Sequence, residues 1–342
     1  MNWAQDTAVV GLDDGYNNIK VVTPNGFKLS VPSRAKVGAN TRVALDGAGE
    51  ETGVFEYETE GAIYSAGDVQ GDDTTFDQYA HSGLNRVLVH HALRMAKMQG
   101  AIEGERVSIV SGIPVREYFT GSSSSPKNEA FIKKKQENLS VPVESIGSDP
   151  IVVVQNLVTA QGFAAWFDWV IEVAGDEVIL NPEKRRENVA IVDIGGRTTD
   201  FAVIANGTVD TSASGSINGG MLMIRDYLRN EIKVKLGLAA APSDVRIDEA
   251  IKTGQIKLHR SLHDVSQLVK EAENMLVSRI RTETKVKLGS GQELDRVIFI
   301  GGGAKALNEK GLLSGWFVHQ ELANDPLFAN AMGMMKYGQF VA

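Results

Sequence analysis

Cysteine is absent from this chain of 342 residues. That removes disulfides, thiol nucleophiles and thiolate metal ligands together, and gives no support to a secreted location. No run approaches the ~20 apolar residues that cross a bilayer. Residues 1–6, MNWAQD, lack the basic and apolar regions of a signal peptide, and without a basic residue they are too short for an amphipathic membrane anchor. Positive charge is not in excess either: 35 Lys and Arg face 43 Asp and Glu, a net charge of −8. Broad direct contact with nucleic acid, which needs cations to neutralise phosphates, is therefore not expected. The sequence contains no His-Glu-x-x-His, Gly-x-Ser-x-Gly or Walker A pattern, so metalloprotease, serine hydrolase and P-loop chemistry lack their signatures. What remains is 43% apolar and 23% charged, ordinary globular values, and at roughly 150 residues per domain the length suggests two domains. A cytoplasmic protein is the expectation.

Along the chain, short apolar segments at 7–12, 19–23 and 27–31 are broken by Asp13-Asp14-Gly15 and Pro24-Asn25-Gly26, a meander of strands with Gly and Asx turns. Residues 31–75 are Gly-rich with alternating stretches and read as a small β-rich excursion. Helical spacing follows at 84–98, then a buried strand at 107–111, a flexible serine loop at 122–125, and the basic run Lys133-Lys134-Lys135, read as a solvated helix face. A core strand at 151–154 leads into an apolar helix predicted over 160–174. A second meander occupies 189–204. Helices are expected near 218–236, 243–252 and 264–283, then a strand at 296–300 and a last helix at 326–339. A strand, Asp, Gly-turn, strand unit thus occurs twice, near residue 10 and near residue 190, which points to two α/β halves.

Each unit can carry phosphate chemistry. In the first, Asp13 stands at a strand end where a carboxylate can hold hydrated Mg²⁺, Gly15 permits close backbone approach, and Lys20 on the returning strand can reach a phosphate. The second repeats these elements with Asp193, Gly195, Gly196 and Thr198. Mg²⁺ keeps several waters and is commonly held by one or two carboxylates plus substrate phosphates, so two facing hairpins would clasp a nucleotide. A third feature, Gly301, Gly302 and Gly303 after a strand, lets a nucleoside lie against bare backbone. Alone, each is most often an ordinary turn.

Other candidates have bland readings. His90 and His91 are adjacent and project about 100° apart on a helix, which suits half-buried core residues better than metal ligands. Asp72 and Asp73 serve a turn. Leu268, Met275, Val277 and Ile280 form an apolar stripe read as core, and Trp166, Phe167 and Trp169 crowd a helix expected to pack on both hairpins.

Together and in this order, the three motifs resemble those of the actin, sugar kinase and heat-shock chaperone ATPase superfamily, and most closely the ParM-type plasmid-segregation actins. Residues 12–20, LDDGYNNIK, are similar to that family's first phosphate segment; 110–118, VSGIPVREY, and 328–334, FANAMGM, continue the likeness beyond the nucleotide motifs. The resemblance implies an α/β actin-like fold with two halves around a nucleotide cleft: residues 1–158 with 318–342, including the small β-rich part at 31–75, and residues 159–317, with a mostly helical insertion at about 218–290. It implies ATP, with GTP also open, bound with Mg²⁺ held through water by Asp13 and Asp193. Phosphates would meet Asp14, Gly15, Tyr16, Asn17, Asn18, Lys20, Gly195, Gly196, Arg197 and Thr198. Adenosine would meet Gly219, Gly220, Gly301, Gly302, Gly303, Ala304 and Lys305. Gln161, on the first connecting helix, would orient the hydrolytic water, with Gln155 a weaker choice; a neutral amide can position water without taking its proton. Arg197 stands where a small hydroxyl residue is common, and either adds charge near the γ-phosphate or points outward.

The implied function is an ATP-hydrolysing, filament-forming actin that segregates plasmid DNA through a small DNA-binding adaptor, without touching DNA or membrane itself. The alternatives are a small-molecule kinase of the same superfamily, for which no sugar-site segment is visible, and an archaeal-type or other prokaryotic cytoskeletal actin. A chaperone would need an appended domain, and membrane-associated shape-determining actins use an anchor that residues 1–6 do not supply.

Overall fold

A computed structural model describes residues 3–4, 7–40, 53–120, 126–147, 150–174 and 177–342. The serine loop at 122–125 and residues 41–52 of the β-rich excursion lie outside the described residues. The first half opens with the expected meander, β1 (Ala8–Asp14), β2 (Asn18–Val22) and β3 (Lys28–Pro32). Strands β4 (Ala35–Val37), β5 (Val54–Thr59) and β6 (Ala62–Gly67) form a small sheet of their own. Helix α1 (Gly83–Met98), capped by the Ser82 hydroxyl, leads to β7 (Arg106–Ile113) and the short α2 (Val115–Tyr118). After α3 (Glu129–Ser140), β8 (Glu144–Ser145) joins the small sheet and β9 (Val152–Ala160) completes the main one, in the order β3-β2-β1-β7-β9.

The predicted helix over 160–174 is shorter than its apolar run suggests. Only α4 (Phe163–Val170) is helical, and β10 (Ile171–Ala174) then pairs with β11 (Glu177–Leu180) as a hairpin. The β-branched Ile171 and Val173 favour strand once a partner segment stands opposite, a pairing no helical periodicity reveals. The single-turn α5 (Pro182–Arg186) precedes the second half.

There, β12 (Asn188–Ile194) and β13 (Thr198–Ala205) repeat the first hairpin, extended by β14 (Thr208–Val209) and β15 (Gly215–Asn218). Helices α6 (Leu222–Lys235) and α7 (Asp244–Thr253) follow, then a hairpin of β16 (Gln255–Leu258) and β17 (Ser261–Asp264) that the sequence had hidden between helices. The long α8 (Ser266–Leu288), β18 (Arg296–Ile300), α9 (Gly301–Glu309) and β19 (Gln320–Leu322) complete it.

The duplication is geometric. In each half a hairpin's first strand also lies parallel to a later strand, β1 to β7 and β12 to β18. Registers match as well: Asp13 stands opposite Lys20, and Asp193 stands opposite Asp200. Each sheet buries its own core, one around Leu12, Ile19, Leu88 and Ile109, the other around Val192, Phe201, Phe299 and Ile280. At roughly 1.5–3 kcal/mol for each fully buried large apolar side chain, such layers hold each half together.

Helix α10 (Ala329–Phe340) returns to the first half and crosses between β1 and α4. The crossing depends on missing side chains. A Cβ on Gly11 would enter the backbone of α10 at Ala331, and one on Gly333 would enter the α4 backbone at Ala164. In the stripe read as core, Leu268 and Ile280 are buried but Met275 is 50% exposed, because α8 turns that face outward.

Candidate nucleotide cleft

Asp13 is buried at the end of β1 and holds two donors. Lys20 Nζ donates to its Oδ2 at 2.8 Å, and Gln161 Nε2 donates to its Oδ1 at 2.9 Å. Alternation along a strand sends the next side chain to the other face. Accordingly, the Asp14 carboxylate accepts from Asn85 Nδ2 of α1 at 2.8 Å and from Lys135 Nζ of α3. This corrects two expectations. Asp14 faces away from Asp13 and offers phosphate no side-chain ligand; and Lys135, read as part of a solvated face, is fully buried while its neighbour Lys133 is exposed. The sequence did contain a signal for Lys135: it shares a helical stripe with Ile132 and Leu139, both buried.

The turn between β1 and β2 is fixed from outside. Ser33 Oγ donates to the Gly15 carbonyl at 2.7 Å, Thr74 Oγ1 donates to the Tyr16 carbonyl at 2.7 Å, and the Ser33 amide donates to the Asn17 carbonyl at 2.9 Å. Asn18 donates to Ser30 Oγ at 3.3 Å, away from the turn.

Asp193 ends β12 as Asp13 ends β1, and Asn330 Nδ2 of the returning helix α10 donates to its Oδ2 at 2.6 Å. Burial, with the nearby carboxylates of Asp13 and Asp200, pushes the Asp193 carboxyl up to about 7. Burial alone would lower Lys20, but Asp13, Asp193 and Asp14 outweigh it and raise its pKa. Two strand-end carboxylates with one shared lysine make a site that favours added positive charge.

The second turn is held by α6, whose Met221 and Leu222 amides donate to the Gly195 and Gly196 carbonyls at 3.0 and 2.8 Å. Thr198 is not directed at a ligand: its hydroxyl donates to Asp200 Oδ2 at 2.8 Å. Asp200 was given no role in the sequence, yet it anchors the halves to each other, accepting the Val115 amide of α2 at 3.0 Å and the Ser216 hydroxyl. Its 180-residue offset from Lys20, equal to that of Asp193 from Asp13, was the available signal. Burial raises its pKa.

The two turns meet. A Cβ on Gly196 would lie 2.9 Å from Asn17 Cβ, and Arg225 Nη2 donates to Asn17 Oδ1 at 3.0 Å. Arg197 does not point outward. It crosses to the first half, donating to the Phe76 carbonyl at 3.0 Å and to Asp77 Oδ1 at 2.8 Å, with its guanidinium 5.4 Å from the Tyr16 ring centre. Beside it, burial and Glu117 raise the Tyr16 phenol pKa.

Gln161 follows the last residue of β9, and Gly162 (φ 81°) turns the chain into α4, so it lies before the connecting helix rather than on it. With Nε2 committed to Asp13, its Oε1 remains the acceptor. Gln155 accepts the Ala4 amide at 3.1 Å, far from both turns, and is not a candidate.

The glycines of the adenosine set gather at the second turn, where a Cβ on Gly301 would run into the Asp193 carboxylate. Gly301, Gly302 and Gly303 form the first turn of α9, not a loop; a Cβ on Gly303 would lie 2.6 Å from Ile194 Cγ2. Ala304 is buried in the core and Lys305 is exposed. Gly220 packs on the Gly196 carbonyl, and a Cβ on Gly219 would lie 3.7 Å from Arg279 Nε. Arg279 lines an open hollow of about 550 Å³ along α8, with Asn274, Met275, Ser278, Thr282 and Glu283. The sequence reading missed this wall, and exposed Met275 belongs to it. His90 and His91 are fully buried rather than half-buried: Tyr57 pairs with His91 Nδ1 at 2.8 Å, and burial drives both imidazoles down to about 4.

Residues 8–169 match the family described as plasmid segregation protein ParM, N-terminal, and residues 191–310 match archaeal actin homologue MreB-like, C-terminal. The chain is actin-like, and its first half is ParM-like. Among solved structures, it is similar to the ParM of a 15-stranded filament from Clostridium botulinum (17% identity, TM-score 0.75), covering 98% of this chain and 99% of that one. An archaeal actin homologue in complex with ADP matches at 19% identity and TM-score 0.69, over 97% of this chain and 99% of that one. Bacillus thuringiensis ParM with ATP matches at 16% identity and TM-score 0.59, over 97% of each chain. A cell division protein FtsA from Buchnera aphidicola subsp. Baizongia pistaciae is 33% identical over 85 residues, 22% of this chain and 20% of that protein's length. Among the described residues, no helix of this actin-like chain is long and apolar enough to cross a membrane.

Proposed function

We propose that this actin-like chain binds ATP with Mg²⁺ between its two hairpins, hydrolyses it, and uses the cycle to control assembly into filaments. The observation that carries the reading is the convergence of Asp13, Lys20, Gln161 and Asp193 where the two register-matched turns meet. The halves would divide differently from residues 1–158 with 318–342 and 159–317: β9 carries the first sheet to Ala160, and β19 (Gln320–Leu322) pairs with β18 of the second, so that only α10 returns to the first.

The donor set fits Mg²⁺. Among the described residues no group of three His, Cys, Asp or Glu could hold a metal alone. Two carboxylates that disfavour joint ionisation suit an ion that completes its shell with water and phosphate. Asp13 and Asp193 would hold it, and when bound it would neutralise charge developing on the phosphates. Lys20 would meet phosphate oxygens, and the amides of Gly15, Tyr16 and Gly196 would line the anion cradle, the Gly195 amide being held by the Thr198 carbonyl within its turn. Gln161 Oε1 would orient water, and Arg197, by bridging the turns to Phe76 and Tyr16, would keep the halves together around the ligand. The nucleoside would extend past Gly219 toward the Arg279 wall. GTP is the competing substrate.

Filament assembly is supported by likeness to ParM in filament form. The acidic chain, net −8, suits DNA engagement through a basic adaptor rather than directly. Light scattering and electron microscopy with Mg²⁺ and ATP test the reading. Filaments that form with ATP and disappear in Asp193→Ala are expected; no filament over a wide concentration range would overturn it.

A further inference from the structure

We propose that Lys135 is a positioning residue for the phosphate-binding hairpin, acting through Asp14; this rests on the nucleotide reading above. The doubled aspartate is served by two lysines on opposite faces of β1: Lys20 for Asp13, and Lys135 for Asp14. Lys135 is fully buried, and its Nζ donates to the Asp14 carboxylate and, at 2.7 Å, to Asn85 Oδ1. Asn85 closes the triangle by donating to Asp14 Oδ2 at 2.8 Å. Asp14 Oδ1 is buried with no hydrogen-bond partner among the described residues. Lys135 and Asn85 are therefore the side chains that satisfy this carboxylate.

Asp14 immediately precedes the turn whose amides would receive phosphate. The triangle ties that turn to α1 and α3, two helices that reach the cleft by no other polar side chain named above. It also sets the charge behind the turn. Without Lys135, a buried carboxylate would stand uncompensated on the far face of β1, directly behind the turn, and such a charge is far more disruptive than a neutral pair of similar shape. An anionic ligand would experience that charge, whereas an uncharged nucleoside would not. The pair therefore acts on the phosphates rather than on the base or ribose.

The test is the affinity of wild type, Lys135→Met and the Asp14→Asn/Lys135→Met double variant for Mg-ATP and for adenosine, measured by calorimetry, with circular dichroism to check folding. Lys135→Met is expected to weaken ATP on the order of tenfold while leaving adenosine within about twofold. The double variant, with both charges gone, is expected to return ATP affinity to within about threefold of wild type. If Lys135→Met does not fold, Lys135→Gln, which keeps a donor, is measured with the same expectation. Equal weakening of ATP and adenosine, or unchanged ATP affinity, overturns the proposal while leaving the nucleotide site intact. Wild type that binds neither ligand overturns the nucleotide reading and this proposal with it.

Discussion

Replacing Asp193 by Asn changes one atom and removes one titration. The unfolded carboxyl gives up its proton near 3.8, whereas in the fold it does so near 7, because it is buried beside Asp13 and Asp200. Between those values the folded state holds the extra proton, so stability falls as pH rises through this window and levels off above the folded pKa. A displacement of roughly three pH units corresponds to about 4 kcal/mol, taken as an upper bound. The Asn side chain keeps an oxygen for the Asn330 amide to donate to, so its packing should be preserved. Without nucleotide or metal, Asp193→Asn should therefore be more stable than wild type, and its advantage should grow by about 3 kcal/mol between pH 5 and pH 8. For a chain of this size that is a divergence in Tm of several degrees. Calorimetric or fluorescence melts in EDTA at both pH values measure it. Adding Mg²⁺ and ATP should stabilise wild type and leave the variant unmoved. An equal difference in Tm at pH 5 and pH 8 would refute the electrostatic account of the site.

Other outcomes follow from the same geometry. Gln161→Ala should leave filament assembly intact and slow phosphate release, read in a coupled phosphate assay; unchanged release would assign water orientation to another group. Arg197→Ala removes the bridge to Phe76 and Asp77, an exposed contact of little weight for folding. Its Tm should stay close to wild type while a fluorescent ATP analogue dissociates several-fold faster, and an unchanged off-rate would count against a cross-cleft role. Gly333→Ala places a methyl into the α4 backbone at Ala164, where no rotamer can yield. A loss on the order of 3 kcal/mol or an insoluble product is expected, whereas the same change at solvent-facing Gly100, where nothing crowds a Cβ, should cost only the strain of its positive φ. Chemical denaturation distinguishes them.

What could be read directly were the features that depend on near neighbours. The two strand, Asp, Gly-turn, strand units are local patterns of period two with a turn between, so β1–β2 and β12–β13 could be recognised without knowing what surrounds them. Their repetition already implied two related halves, and the actin-like fold was implied by the resemblance of the three motifs to that superfamily. The failures came where a distant partner sets the outcome. Residues 171–174 became a strand because 177–180 pair with them. The last lysine of the basic run is buried because the Asp14 carboxylate, 121 residues earlier, awaits it inside.

The sequence by itself determined the repeated hairpins, the residue types at their turns and the absence of any thiol. Only the tertiary structure decided which face each carboxylate presents. Strand alternation separates Asp13 from Asp14, but the packing of α1, α3 and α10 gives one a lysine from its own hairpin, the other a lysine from α3, and Asp193 an asparagine from the last helix. Those choices fix the charge at the cleft, because at such short range the position of each partner outweighs the net charge of the chain.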